Sequence, residues 1–157
     1  MKALVVYNSV YSNTEKIANA IGKGLETSAE VKVRKVNEVD PKYLSEYGLV
    51  AVGSPTQGGR PLPSIKTFLD GIPADGLKGM KVASFDTGMP GEGKGWFLKL
   101  VVKILGYAAP RIAKSLEAKG GTMAAPPEGF FVEDKEGPLS DGEEERAATW
   151  AKGLVSK

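Results

Sequence analysis

Three short runs of this chain are almost wholly apolar: Lys2–Asn8, Leu49–Gly53 and Lys81–Asp86. A strand with one wet face alternates polar and apolar residues. A strand that fails to alternate is covered on both faces, as the central strands of a parallel sheet are. Between the runs the apolar spacing lengthens to that of a helix. Ile17, Ala18, Ala20, Ile21 and Leu25 predict a helix over Asn13–Thr27, with Asn13 or Ser12 as cap and Gly24 near its end. Further helical patterns cover Pro63–Leu69 and Glu143–Val155, the latter behind the caps Ser140 and Asp141. The acidic, turn-rich segment Glu133–Glu145 reads as a solvated loop leading into the last helix. Trp96–Leu105 and Pro110–Lys119 read as one long helix or two, joined near Gly106 and Pro110. A short helical turn is expected after Asp40-Pro41. Val31–Val36 and, more weakly, Thr122–Ala125 complete a set of five strands.

The order is then β-α-β-α-β-α-β-α-β-α. It predicts an α/β chain, residues 1–157 forming one domain, with a doubly wound, five-stranded parallel sheet between two helical layers and right-handed crossovers. The strand order expected is 2-1-3-4-5, which places a ligand crevice at the carboxyl ends of strands one, three and four. The segments at those ends are Ser9–Thr14, Ser54–Arg60 and Thr87–Gly95, all rich in Gly, Ser, Thr or Pro.

Composition narrows the chemistry. The chain has 157 residues, a formal net charge of +2, no Cys and no His. Disulfides, thiolate metal sites, a Cys nucleophile and Ser-His-Asp triads are therefore excluded. Chemistry must come from other side chains or from a bound cofactor. The small net charge points to no nucleic acid. No apolar run reaches the ~20 residues of a membrane helix. A strand pattern begins at Lys2, so no signal peptide is expected, and the cytoplasm is the expected location.

Ser9-Val10-Tyr11-Ser12-Asn13-Thr14 joins the first strand to the first helix. The leading amides of a helix lack internal partners and carry the positive end of its dipole, which suits an anion such as phosphate. A bare cap needs only one hydroxyl or Asx side chain. This turn supplies Ser9, Ser12, Asn13 and Thr14 as well as Tyr11, but no Lys or Arg, so uncharged donors are expected to do the holding.

Ser9 to Ala18 resembles the phosphate loop of flavodoxins, written [ST]-x-[TY]-[GS]-N-T. Gly53-Ser54-Pro55-Thr56-Gln57-Gly58-Gly59 is similar to the family's second flavin loop, near the form found in flavodoxin-like quinone reductases, and Phe85-Asp86-Thr87-Gly88 to the start of the third. The resemblance implies noncovalent flavin mononucleotide (FMN). Ser9, Tyr11, Ser12, Asn13 and Thr14, with the Val10 amide, would hold its phosphate. Thr56 would reach toward the phosphate or ribityl chain. Pro55, Gln57 and Gly58 would lie along the isoalloxazine ring, with Thr87 and Gly88 along its other edge. Where many flavodoxins stack a Trp or Tyr from the second loop, this chain has Gln57, and Trp96 is either the stacking aromatic or a core residue. The implied function is electron transfer between partner proteins, a reductase and an acceptor, with an FMN-dependent NAD(P)H:quinone-type oxidoreductase as the alternative. Arg60 and Lys94, on the two flavin-side loops, would favour an anionic reduced flavin.

Other signals are weaker. Gly88–Gly95 nearly spells a nucleotide-binding P-loop, but Gly95 stands where Ser or Thr would ligate magnesium. A phosphorelay receiver would need acidic residues where Ser9 and Ser54 stand. The apolar stretch Trp96–Leu105, broken only by Lys99 and Lys103, suits core packing or the interface of a homo-oligomer.

Overall fold

A computed structural model describes residues 1–89 and 107–155. Its strands are β1 (Lys2–Tyr7), β2 (Glu30–Lys35), β3 (Leu49–Pro55), β4 (Lys81–Gly88), β5 (Thr122–Met123) and β6 (Glu128–Phe131). The helices are α1 (Asn13–Leu25), α2 (Pro63–Asp70), α3 (Ala108–Ala118) and α4 (Glu143–Val155). The expected helix over Trp96–Leu105 and the residues Lys94 and Trp96 lie outside the described residues.

The sheet is parallel in the expected order β2-β1-β3-β4-β5. Val5 sits opposite Val33 of β2 and Ala51 of β3. The apolar runs behave as covered strands. Ala3, Val5 and Tyr7 of β1 join a core with α1 and α4, while Leu4 and Val6 join a second core with α2 and α3. Each fully buried aliphatic side chain in these layers contributes about 1.5–3 kcal/mol. Gly24 of α1 lets the two helices on the first face approach, because a Cβ there would run into the Ala148 carbonyl of α4.

Two expectations change. The fifth strand is split: β5 pairs with Lys81 and Val82, and β6 with Phe85 to Gly88, both parallel. Pro126 and Pro127 lie between them and have no N–H to continue the ladder. After Asp40-Pro41 there is a turn and no helix. The Asp40 carboxylate accepts the Lys42 N–H at 2.9 Å and its carbonyl the Tyr43 N–H at 3.1 Å. The acidic loop after β6 is exposed from Glu133 to Glu136, as expected, and is also anchored. Val132 bridges to Leu139, closing a loop over the amino end of α1.

Candidate functional site

The carboxyl ends of β1, β3, β4 and β6 surround a cleft of about 500 Å³, within the ~300–1,000 Å³ of small-molecule sites. Ser9, Val10, Tyr11, Asn13, Thr14, Pro55, Thr56, Gln57, Gly58, Thr87 and Gly88 line it. Ser12 does not line it, and Trp96 is outside the described residues. The cleft also takes in Met89, Val132 and Lys135, which the sequence reading did not select. Arg60 is not among the lining residues; among the described residues, Lys135 is the cation that reaches the cleft.

The first loop is held open from within. Ser9 N–H donates to Asn8 Oδ1 at 2.8 Å, and Asn8 Nδ2 donates to Ser64 Oγ at 2.7 Å in the first turn of α2. Asn8 is thus a positioning residue that the sequence reading missed. Ser12 has φ 71° and makes no side-chain cap. A left-handed backbone costs a non-glycine residue roughly 1–2 kcal/mol. The first intrahelical bond runs from Lys16 N–H to Ser12 O at 3.1 Å. The amides of Asn13, Thr14 and Glu15 therefore have no acceptor within the helix.

Two hydroxyls join the first loop to the third. Thr14 Oγ1 and Thr87 Oγ1 lie 2.7 Å apart, and their residues are 1% and 4% exposed. One proton serves that bond, so the other remains available as a donor. Ser9 Oγ is shielded from water and has no hydrogen-bond partner in the structure. An orphaned buried hydroxyl is costly unless a ligand completes it.

The second loop is a tight reversal. Gln57 and Arg60 exchange backbone bonds of 2.9 and 3.0 Å, and Gly58 and Gly59 have φ of 58° and 78°. Two successive positive φ values define a turn that glycine adopts without strain. Thr56 N–H donates to Thr87 O at 2.9 Å. Its hydroxyl does not face the cleft unengaged. It accepts the Ala108 N–H at 2.9 Å, while the residue still lines the cleft.

Asp86 is 1% exposed, and its Oδ2 accepts the Ala109 N–H at 2.8 Å. Thr56 and Asp86 together cap α3, which explains why that helix begins before Pro110 rather than at it. Burial pushes the Asp86 carboxyl up to about 7, against the opposing pull of the Ala109 amide and the Thr56 hydroxyl. The charge of Glu128 adds to the rise.

The flavodoxin family model matches residues 5–150. The chain belongs to the flavodoxin family. A flavodoxin from the domain Archaea is 26% identical, with a TM-score of 0.77 over 99% of this chain and 96% of that one. Flavodoxin 2 from Bacillus cereus is 24% identical, with a TM-score of 0.72 over 99% and 98%. The rubredoxin:oxygen oxidoreductase of Desulfovibrio gigas is 24% identical at a TM-score of 0.72, and 98% of this chain covers 35% of that larger protein. The flavodoxin-like order and the family match make this chain an FMN-binding electron-transfer protein. The donor set fits that cofactor: the orphaned Ser9 hydroxyl, the spare Thr14–Thr87 proton and the leading amides of α1 are all suited to phosphoryl or hydroxyl oxygens.

Proposed function

We propose that FMN occupies this cleft, with its phosphoryl group at the first loop and its ring between the second and third loops. The unsatisfied Ser9 hydroxyl carries the assignment, because it is a shielded donor on the wall of the cleft that a ligand oxygen would complete. Ser9, Tyr11, Ser12, Asn13 and Thr14, with the Val10 and helix amides, hold the phosphoryl group in this reading. Pro55, Gln57 and Gly58 form one wall for the ring, and Thr87 and Gly88 the other. Thr56, whose hydroxyl accepts the Ala108 N–H, ties the second loop to α3 and in this reading still reaches toward the phosphoryl group or ribityl chain. Trp96, outside the described residues, is either the stacking aromatic or a core residue in this reading.

Bound FMN supplies the redox chemistry. The protein residues bind it, fix its orientation and exclude water from the donors of the first loop. A separate reductase and an acceptor protein as partners, and a cytoplasmic setting, belong to the same proposal. Among the described residues, no helix is long and apolar enough to cross a membrane.

Titration of the apoprotein with FMN, followed by flavin fluorescence, tests the assignment. Saturable one-to-one binding is expected. Thr14→Val should weaken it by about 1–3 kcal/mol, the size of one lost hydrogen bond to a charged group. Undetectable FMN binding by the unmodified protein overturns the site. An unchanged dissociation constant in Thr14→Val removes that hydroxyl from it.

A further inference from the structure

The donors of the first loop are uncharged, yet the cleft is not. Lys135 lines it, and no Asp or Glu does among the described residues. The lysine arrives from far along the chain, on the loop that follows β6. That loop is closed by several bonds. Val132 N–H donates to Gly88 O at 3.1 Å, Glu133 N–H to Pro138 O at 2.8 Å and Gly137 N–H to Asp134 O at 2.9 Å. It is also tied to the first residue of α1. Asn13 Nδ2 donates to Glu136 O at 3.3 Å, and a Cβ on Gly137 would stand 2.8 Å from Asn13 Oδ1. Gly137 has φ 106°, so glycine is required there on both counts.

Lys135 thus immediately precedes the residue whose carbonyl is bound at the amino end of α1. The helix dipole is positive there, and three amides are without helical acceptors. Asp134, beside it in sequence, directs a carboxylate oxygen to the Lys135 backbone N–H at 2.7 Å. Among the described residues the Lys135 ammonium forms no ion pair; the pairs within 4.0 Å belong to Lys66 and Arg146. A free cation, a helix terminus and a buried orphan hydroxyl on one cleft call for a multiply charged anion. The phosphate monoester of FMN, with its second ionisation near ~6, is such an anion at neutral pH.

We infer that Lys135 contacts the phosphoryl group of FMN, so that the loop after β6 forms part of the cofactor site and selects FMN over unphosphorylated riboflavin. This rests on the placement of FMN proposed above. The lysine adds one unit of charge neutralisation to a loop otherwise built of neutral donors. Its contribution is therefore sensitive to ionic strength in a way that the hydroxyls are not.

The test measures dissociation constants for FMN and for riboflavin, in the unmodified protein, Lys135→Ala and Lys135→Arg, across a range of salt concentrations. At low salt, Lys135→Ala should weaken FMN binding roughly 3- to 20-fold, between the value of an exposed ion pair and that of a charge-assisted hydrogen bond. It should flatten the salt dependence, leave riboflavin affinity within about twofold, and be rescued by Lys135→Arg. FMN affinity and salt dependence unchanged in Lys135→Ala overturn the inference alone. An equal loss for FMN and riboflavin also overturns it, since the lysine would then act on the ring or on the fold. Failure of the unmodified protein to bind either flavin overturns the placement of FMN and this inference with it.

Discussion

The buried carboxyl of Asp86 makes stability depend on pH in an unusual direction. Its ordinary value is 3.8, and in the fold it stands at about 7. A raised value means that the native state keeps a proton which the unfolded chain releases. Below about pH 4 both states are protonated and nothing is lost. Between about 4 and 7 each rise in pH favours the unfolded chain, and above about 7 the cost is complete. At about 1.4 kcal/mol per tenfold change in proton affinity, the whole span amounts to roughly 4 kcal/mol. About 2–3 kcal/mol of this falls between pH 5 and pH 8. That is a large share of the ~5–15 kcal/mol that holds a domain folded. Asp86→Asn removes the titration. The new amide keeps an oxygen for the Ala109 N–H but brings a donor toward a position where Asp86 Oδ1 has no partner. Absolute stability is therefore a poor readout, and the difference between two pH values is a good one. Urea unfolding of both apoproteins at pH 5 and pH 8 gives that difference, and the other ionising groups are common to both. The unmodified protein should lose about 2–3 kcal/mol more than Asp86→Asn between the two pH values. Equal losses, within about 0.5 kcal/mol, would mean that Asp86 ionises near its ordinary value and that burial does not govern it.

Two other substitutions probe the frame of the site. Ser12→Gly should stabilise the apoprotein by up to about 1–2 kcal/mol in urea unfolding, because the left-handed backbone then carries no Cβ and no cap is lost. A loss of stability would show that the Ser12 hydroxyl already works in the apoprotein. Glu143 accepts the Phe131 N–H at 2.7 Å and Arg146 Nε at 2.8 Å. Arg146 holds its carboxyl below the ordinary 4.5. This stability is present above 4.5 and is lost as pH falls through the lowered value, opposite in sign to Asp86. Glu143→Gln should cost about 1–2 kcal/mol at pH 7 and less near pH 3, discounted because Arg146 is partly exposed. An equal cost at both pH values would remove the charge from the explanation.

The central strands were legible because their coverage on two faces is written as uninterrupted apolar residues. The three cleft-lining loops were legible for a local reason as well. A strand end, a hydroxyl-rich turn and a helix start are neighbours in sequence. What the sequence did not disclose is set by contacts between distant segments. Thr56 is a hydroxyl residue in the expected loop, but nothing in the sequence discloses that it accepts the orphan Ala108 amide of α3. Lys135 sits in an acidic run, Glu133–Glu136, whose charges read as a solvated face. Only the Asn13–Glu136 bond reveals that the run lies against the first loop. Glu128–Phe131 directly follows two prolines and lies beyond the weak strand pattern of Thr122–Ala125. Its strand conformation is imposed by pairing with the edge of β4 at Phe85 to Gly88.

The division of the outermost strand has a consequence for behaviour at high concentration. Sheet borders with free amides and carbonyls recruit strands from other molecules. Here the border beyond β4 is two short pieces separated by paired prolines, which cannot donate. The opposite border, β2, carries the exposed cations Lys32, Arg34 and Lys35. Neither margin offers a long, neutral template, so the fold carries its own guard against edge-to-edge polymerisation.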